Sequence, residues 1–323
     1  TPPRRRRRRG FGPRALTYTV LTVGLVLWLI PFVWMLLGSL KTQGEILQRP
    51  PTWLPQNPTL ENFAAWFGPL DFWQFFANSA IVAVFTVLGN LVFCSMVGYA
   101  LAKMEFPGKR LLFLLVMVTL MVPGVVTFVP LFVMVSSLGL VNTYPALILP
   151  FVTAPVGVFL MRQFMLGIPE PLLEAARLDG AGEWRIFTRI VMPLCGPPLA
   201  TLGILTFLSS WNNFLWPLVA AQTEEMYTLP VALSLYSTGQ NATNYGLLLA
   251  GSVLVITPII LLFVFLQRWF IRGVATTGLK LPARPRRASL FPTRDPSLEP
   301  FRCSPPSRPH PTAPGSATST ATG

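Results

Sequence analysis

Long apolar runs, not the half-apolar periodicity of soluble helices or strands, organise this chain. No Asp, Glu, Lys or Arg occurs from Leu111 to Met161, from Leu194 to Thr223, or from Met226 to Gln267. A bilayer-crossing helix needs about 20 apolar residues. The pattern predicts six spans, at 16–40, 78–102, 111–135, 145–165, 194–217 and 246–271. Between them lie a loop at 41–77, a basic turn KMEFPGKR at 103–110, a neutral loop at 136–144, a charged segment at 166–193 and a loop at 218–245. The stretch Leu16 to Leu40 follows basic residues, as a signal peptide would. It is too long for a signal h-region and lacks a small-x-small cleavage site, so it reads as a retained first membrane helix.

Composition agrees with that pattern. Charged residues make up 11% of the chain and the mean hydropathy is +0.56, whereas soluble domains carry about 25% charged residues. The net charge of +13 does not imply nucleic acid, because its distribution follows the spans. Arg4 to Arg9, Arg14, Lys103, Lys109, Arg110, Arg177, Arg185, Arg189 and the C-terminal basic residues fall on one side, against Lys41 and Arg49 on the other. The positive-inside rule then puts both termini in the cytoplasm, which an even number of spans requires. Residues 1–15 form a basic cytoplasmic segment and 16–281 a membrane domain. Residues 282–323 are rich in Pro, Ser, Thr and Arg and bury too little apolar surface to fold. They read as a disordered tail or a stretch translated out of register, before a PxxP ligand.

Mechanism is narrowed by what the spans lack. They hold no Asp, Glu, His or Lys, the groups with which ion-coupled transporters relay protons or balance ions. The sole histidine, His310, lies in the tail, and Cys94, Cys195 and Cys303 have no metal-ligand spacing. No metal site, cofactor or catalytic residue is expected. A G-x-x-x-x-G-K-[ST] loop is also absent, so uphill transport needs an ATPase on a separate polypeptide. Composition leaves a passive channel open.

The segment 166–193 reads LGIPEPLLEAARLDGAGEWRIFTRIVMP. Pro169 and Pro171 suit a helix start, and Glu170 and Glu174 suit its positive end. Leu172, Leu173 and Ala176 form one apolar face, and Gly180 can take the left-handed conformation that stops a helix. A second helix is expected from about Glu183 to Val191, closed by Pro193. Such a helix–turn–helix fits a partner's groove.

EAARLDGA at 174–181, with Phe187, Ile190 and Pro193, resembles the EAA loop of ABC importer permeases, in the carbohydrate-type branch related to the maltose permease. SWNNFLWPL at 210–218, TLPVAL at 228–233, QRWFIRG at 267–273, SLK at 39–41 and NS at 78–79 are similar to the same branch. The likeness covers about 16–281. It implies an all-α integral membrane fold, the type I ABC importer permease, with six transmembrane helices and a cytoplasmic coupling helix–turn–helix. It further implies that the EAA helix docks in a cleft of an ATPase whose closure rocks the permease between inward- and outward-facing states. Glu174 would be the polar contact, Ala175 and Ala176 small for close approach, and Asp179, Gly180 and Ala181 would shape the turn. The implied partners are two ATPase subunits, a second permease (a different chain is usual in this branch), an extracytoplasmic solute-binding protein and the bilayer.

Candidate pathway residues are Asn90, Ser95 and Tyr99 in the second span and Asn212 and Asn213 in the fifth. Each amide could bond a sugar hydroxyl or join helices. Trp211 and Trp216 sit where aromatic belts occur. The loop 218–245, with Glu224 and Glu225, is expected to face the binding protein. The function implied is half of a sugar-importing pore. The rivals are a secondary transporter, which the absence of intramembrane carboxylates and His disfavours, and an ABC permease for an amino acid, peptide or metal.

Overall fold

A computed structural model describes residues 11–238 and 243–277, with side chains from 16–238 and 243–265. The expectations for residues 1–10 and for the tail at 282–323 lie outside them, as do the side chains of QRWFIRG. In chain order the helices are α1 (Phe11–Ser39), α2 (Gln43–Ile46), α3 (Glu61–Phe67), α4 (Phe72–Lys103), α5 (Lys109–Met121) and α6 (Gly124–Ser137). Then come α7 (Tyr144–Ile148), α8 (Pro155–Leu166), α9 (Glu170–Leu178), α10 (Glu183–Ile186), α11 (Met192–Leu194) and α12 (Gly196–Trp211). The last are α13 (Leu215–Ala220), α14 (Leu229–Ser237) and α15 (Tyr245–Thr277). The described residues hold helices and turns, with one isolated β-bridge between Thr238 and Thr243.

Three stretches are long and apolar enough to cross a membrane as single helices: Leu16–Ser39, Phe72–Lys103 and Tyr245–Phe265. The other three expected spans are bent pairs. Lys109–Met121 meets Gly124–Ser137 at 104°, Tyr144–Phe151 meets Pro155–Leu166 at 42°, and Glu183–Leu194 meets Gly196–Trp211 at 80°. Proline sits at or beside each break: Pro123 caps α6, Pro155 opens α8, and Pro197 and Pro198 lie in the first turn of α12. A proline ring removes a backbone donor and clashes with the preceding turn, so a continuous helix is disfavoured there. The spans expected at 111–135 and 145–165 are thus corrected to broken helices, whereas the break at Cys195 falls at the start of the span expected at 194–217. The helix expected to end at Pro193 instead continues through a π-helical turn, Phe187–Val191, to Leu194. Proline is tolerated there as the second residue of α11.

The core is built on α4, which packs along α8 and α12, and those two also touch each other. Close approach depends on glycine. A Cβ at Gly98 would lie 2.8 Å from Met161 Cβ, and one at Gly157 would lie 2.8 Å from both Cys94 Sγ and Leu202 Cδ1. Small residues at such crossings are what membrane helices use to gain dispersion contact. α1 packs on α15 and leaves the rest of its surface exposed, as a helix facing acyl chains or another subunit requires.

The segments expected as loops carry structure. Between α1 and α4, Asn62 Nδ2 donates to the carbonyls of Ser39 (3.0 Å) and Lys41 (2.9 Å). Lys41, 4% exposed, is paired with Glu45 at 3.9 Å. Within 218–245, α14 buries Leu229, Val231 and Ala232. Arg162 is an arginine inside the fourth predicted span. Its Nε donates to the Leu101 carbonyl at 3.2 Å, and its guanidinium lies 3.8 Å from the Phe113 ring centroid. The stem stays in apolar surroundings while the charge meets a carbonyl and a π-face.

Candidate coupling surface and solute cavity

Helix α9 begins at Pro169–Glu170 and ends in a left-handed glycine, Gly180, at φ +79°. The Gly180 amide donates to Arg177 O and the Ala181 amide to Ala176 O, both at 3.0 Å. This is the pair of bonds of a Schellman stop, which satisfies two of the helix's terminal carbonyls. Asp179 is the C-cap residue. The expected apolar face is divided. Leu173 is fully buried with Ile186, Phe187 and Val191, and Ala176 packs against that cluster, whereas Leu172 is 45% exposed. On the outer side, Glu174 and Ala175 are exposed with Leu178, which is 89% exposed, and Trp184 is 65% exposed. An amphipathic nine-residue helix is therefore fixed by one face and open on the other.

Five side chains tie this helix to the C-terminal end of α4. Lys103 Nζ donates to Glu170 Oε2 (2.9 Å) and to the Ile168 carbonyl (2.7 Å). Arg177 bridges the two glutamates, with Nε to Glu183 Oε1 at 2.7 Å and Nη1 to Glu170 Oε1 at 3.4 Å. Tyr99 donates its hydroxyl to Glu183 Oε2 at 2.6 Å, and its ring centroid lies 5.3 Å from that of Phe187. Charge-assisted bonds of this kind are roughly twice as strong as neutral ones. The Lys103 hydrogen bond and charge, with Arg177 adding to both, hold the Glu170 carboxyl below its ordinary range against some desolvation.

A cavity of about 480 Å³ opens where α4, α12 and the α7–α8 break meet. Its polar lining includes Thr86, Asn90, Thr206, Ser209, Ser210 and Asn213, and the lining carries no ionisable side chain. The Thr86 hydroxyl is buried without a hydrogen-bond partner. Asn90 is already committed. Its Nδ2 donates to Phe151 O (2.6 Å) and Thr86 O (3.1 Å), and its Oδ1 accepts from the Ala154 amide (3.0 Å). It thus satisfies the backbone groups freed by the break before α8, a helix-joining role.

The structure separates the remaining candidates. Of the five, Asn90 and Asn213 line the cavity; Ser95, Tyr99 and Asn212 do not. Ser95 is fully buried with an unpartnered hydroxyl, Tyr99 is held at Glu183, and the exposed Asn212 donates to Leu208 O of its own helix at 2.9 Å. Trp211 and Trp216 are buried anchors rather than belt residues. Their indole N–H groups donate to Val255 O (3.0 Å) and Ala146 O (2.9 Å). The NS pair at 78–79 clamps the segment around TLPVAL: Asn78 Nδ2 donates to the carbonyls of Glu225 (2.8 Å) and Tyr227 (2.9 Å), and Ser79 Oγ accepts from the Leu229 amide (2.8 Å). Lys103, Glu170, Arg177 and Glu183 were missed as a group. Their only sequence signal was opposite charge at the ends of the same two segments.

Comparison with known proteins places this architecture. The family model described as "binding-protein-dependent transport system inner membrane component" matches residues 94–276. The chain is 43% identical to the arabinooligosaccharides transport system permease protein AraQ of Halalkalibacterium halodurans, over 81% of this chain and 96% of that one. It is 34% identical to the diacetylchitobiose uptake system permease protein NgcG of Streptomyces coelicolor, over 79% and 85%. A crystal structure of a bacterial ABC transporter involved in import of the acidic polysaccharide alginate superposes with a TM-score of 0.72 at 25% identity, covering 84% of this chain and 100% of that one. A helical fold among the described residues with three long apolar helices and three bent apolar pairs, a matched family model and relatives covered over most of their length lead to one assignment: this chain belongs to the inner-membrane permease family of binding-protein-dependent ABC importers.

Proposed function

We propose that the chain forms half of a translocation pore for a neutral oligosaccharide, driven by ATP hydrolysis on separate subunits. The observation that supports the solute class is the cavity: hydroxyls and amides among apolar side chains, with no charge on its wall. An acidic solute would leave its charge uncompensated there. The names of the sugar-transporting relatives agree with this reading.

The open face of α9 is the ATPase contact. Glu174 supplies the polar group, Ala175 the close approach and Leu178 the apolar anchor, while Asp179, Gly180 and Ala181 set the angle of the stop. The excess of basic residues on the side of the 166–193 segment supports a cytoplasmic location for that segment and both termini. Two ATPase subunits, a second permease chain that closes the pore, and a binding protein meeting the opposite face near Glu224 and Glu225 complete the importer.

Reconstitution tests this. Vesicles holding the full set of subunits and binding protein, supplied with ATP inside, should accumulate labelled arabinotriose, and vesicles holding this chain alone should neither accumulate it nor hydrolyse ATP. Accumulation by the chain alone would overturn the reading.

A further inference from the structure

Any motion imposed on α9 has to reach the cavity through the chain's own contacts. One covalent route runs through α10 and α11 into α12. It contains a π-helical turn at Phe187–Val191 and an 80° break at Cys195, so it does not run to α12 as one straight helix. The other route is α4. Tyr99 and Lys103 stand one helical turn apart on it and grip the two glutamates that Arg177 joins. Lys103 is 5% exposed and Tyr99 4% exposed, so both donors are held in the packed interior, while their acceptors Glu170 (45%) and Glu183 (41%) stand at the surface.

α4 is a single helix of 32 residues without a break. Nine residues before Tyr99 on that helix, roughly 13 Å away at 1.5 Å per residue, Asn90 holds the α7–α8 break from both sides. Thr86 and Asn90 of the same helix form part of the cavity wall. The glycine contact Gly98–Met161 lies between the two ends and lets α8 move with α4.

We infer that α4 is the transmission rod of this subunit, with Tyr99 and Lys103 as the positioning residues that latch the α9 helix to it. This deepens the ATPase-contact reading of α9 and rests on it. The latch stays closed through the transport cycle, so that α9 and α4 travel as one body and the α10–α12 joint absorbs the change of angle.

The test uses the complete importer in vesicles and measures labelled arabinotriose taken up per ATP hydrolysed, beside the amount of ATPase that co-purifies. Tyr99→Phe removes one oxygen and keeps the ring against Phe187, and Lys103→Met keeps the buried stem. Both should retain ATPase subunits at the wild-type level and hydrolyse ATP. Each should lose at least fivefold in uptake per ATP, and the double variant more. Lys103→Arg, which can still reach Glu170, should restore most of the ratio. In a background lacking the native cysteines, the uncross-linked pair K103C and E170C should be impaired like Lys103→Met, and a short thiol cross-link between them should restore uptake per ATP to within twofold of the unmutated importer. Wild-type ratios in both single variants would overturn the inference, as would a cross-link that abolishes uptake, because the latch would then have to open. Failure of the permease reading is distinguishable, since the unmutated importer itself would then show no uptake.

Discussion

Gly98→Ala adds one methyl group where α4 and α8 come closest. The new Cβ would stand 2.8 Å from Met161 Cβ, 3.1 Å from the Arg162 amide nitrogen and 3.3 Å from the Met161 carbonyl carbon. Optimal carbon–carbon contact is about 3.5–4.0 Å, so the helices must separate by about 0.7 Å or more. Met161 is fully buried, and the obstructing atoms belong to its Cβ and to backbone, which no rotamer change can move. Overpacking of this kind costs about 1–3 kcal/mol. Alanine also favours a helix over glycine by about 0.8–1.0 kcal/mol, which would mask part of the loss. Gly203→Ala on α12 is the control, because its Cβ would meet nothing closer than 3.9 Å. The propensity gain is shared, so the difference between the two variants isolates the packing cost. Thermal exposure of Cys94 and Cys195, both fully buried, to a thiol-reactive dye in a Cys303→Ser background reports unfolding in detergent. Gly98→Ala should unfold several degrees below Gly203→Ala. Equal midpoints for the two variants would refute the close-approach argument.

Glu174→Lys and Gly180→Trp should each weaken ATPase co-purification at least tenfold while leaving membrane insertion unchanged, because Glu174 is on the open face and a tryptophan at φ +79° is strained and bulky. Normal retention with both variants would remove the docking role of α9. Asn213→Ala should change solute preference with little effect on stability, whereas Asn90→Ala should destabilise by about 1–3 kcal/mol, since it leaves the Ala154 amide and Phe151 carbonyl unpaired; thiol exposure and uptake measured together separate the two outcomes. Glu170 has a folded-state pKa below its ordinary value, so its contribution is full above that ordinary value and is lost as pH falls through the folded one. Hydrogen exchange of the α9 amides, corrected for intrinsic rate, should be flat from pH 6 to 8 and rise below about pH 4, and Lys103→Met should reduce that acid dependence while Arg177 retains the remainder. Deleting 282–323 should leave uptake at the wild-type level, measured at matched expression.

What the sequence made legible follows the range of the interaction responsible. The segment around EAARLDGA could be read because its helix start at Pro169, its stop at Gly180 and its Schellman bonds all fall within a dozen residues of one another. The spans could be located because apolarity is a property of single residues summed along the chain. Their bends could not. In the charge-free run from Leu111 to Met161, hydropathy is blind to the direction of the axis, and Pro123 and Pro155 mark breaks while Pro130 sits inside α6 without one. Nor could the roles of the polar residues in the spans be assigned. Tyr99 finds its acceptor 84 positions later, and Trp211 finds its own 44 positions later. A polar group inside an apolar span signals only that some partner exists, because an unpaired one is costly in a medium without water.

That same cost sorts the polar residues now that their partners are known. Asn78, Asn90, Trp211 and Trp216 each donate to a backbone carbonyl on another segment. Offering those groups to a passing solute would mean breaking a bond that holds two segments together, so they cannot change partners at every transport cycle. Asn213, by contrast, lines the cavity without a side-chain bond to another segment, whereas Thr86 belongs to the wall but its partnerless hydroxyl is itself enclosed. A pathway that must release its solute needs groups that bind weakly and are free between events. Only the uncommitted ones meet that condition. The division places the structural polar residues at helix breaks and joins, and leaves Asn213 on the cavity wall as the candidate for the recognition proposed above. The helix that carries Thr86 is also the one whose Tyr99 and Lys103 bond Glu183 and Glu170, so on the inference drawn above a push on α9 would reach the cavity wall along α4.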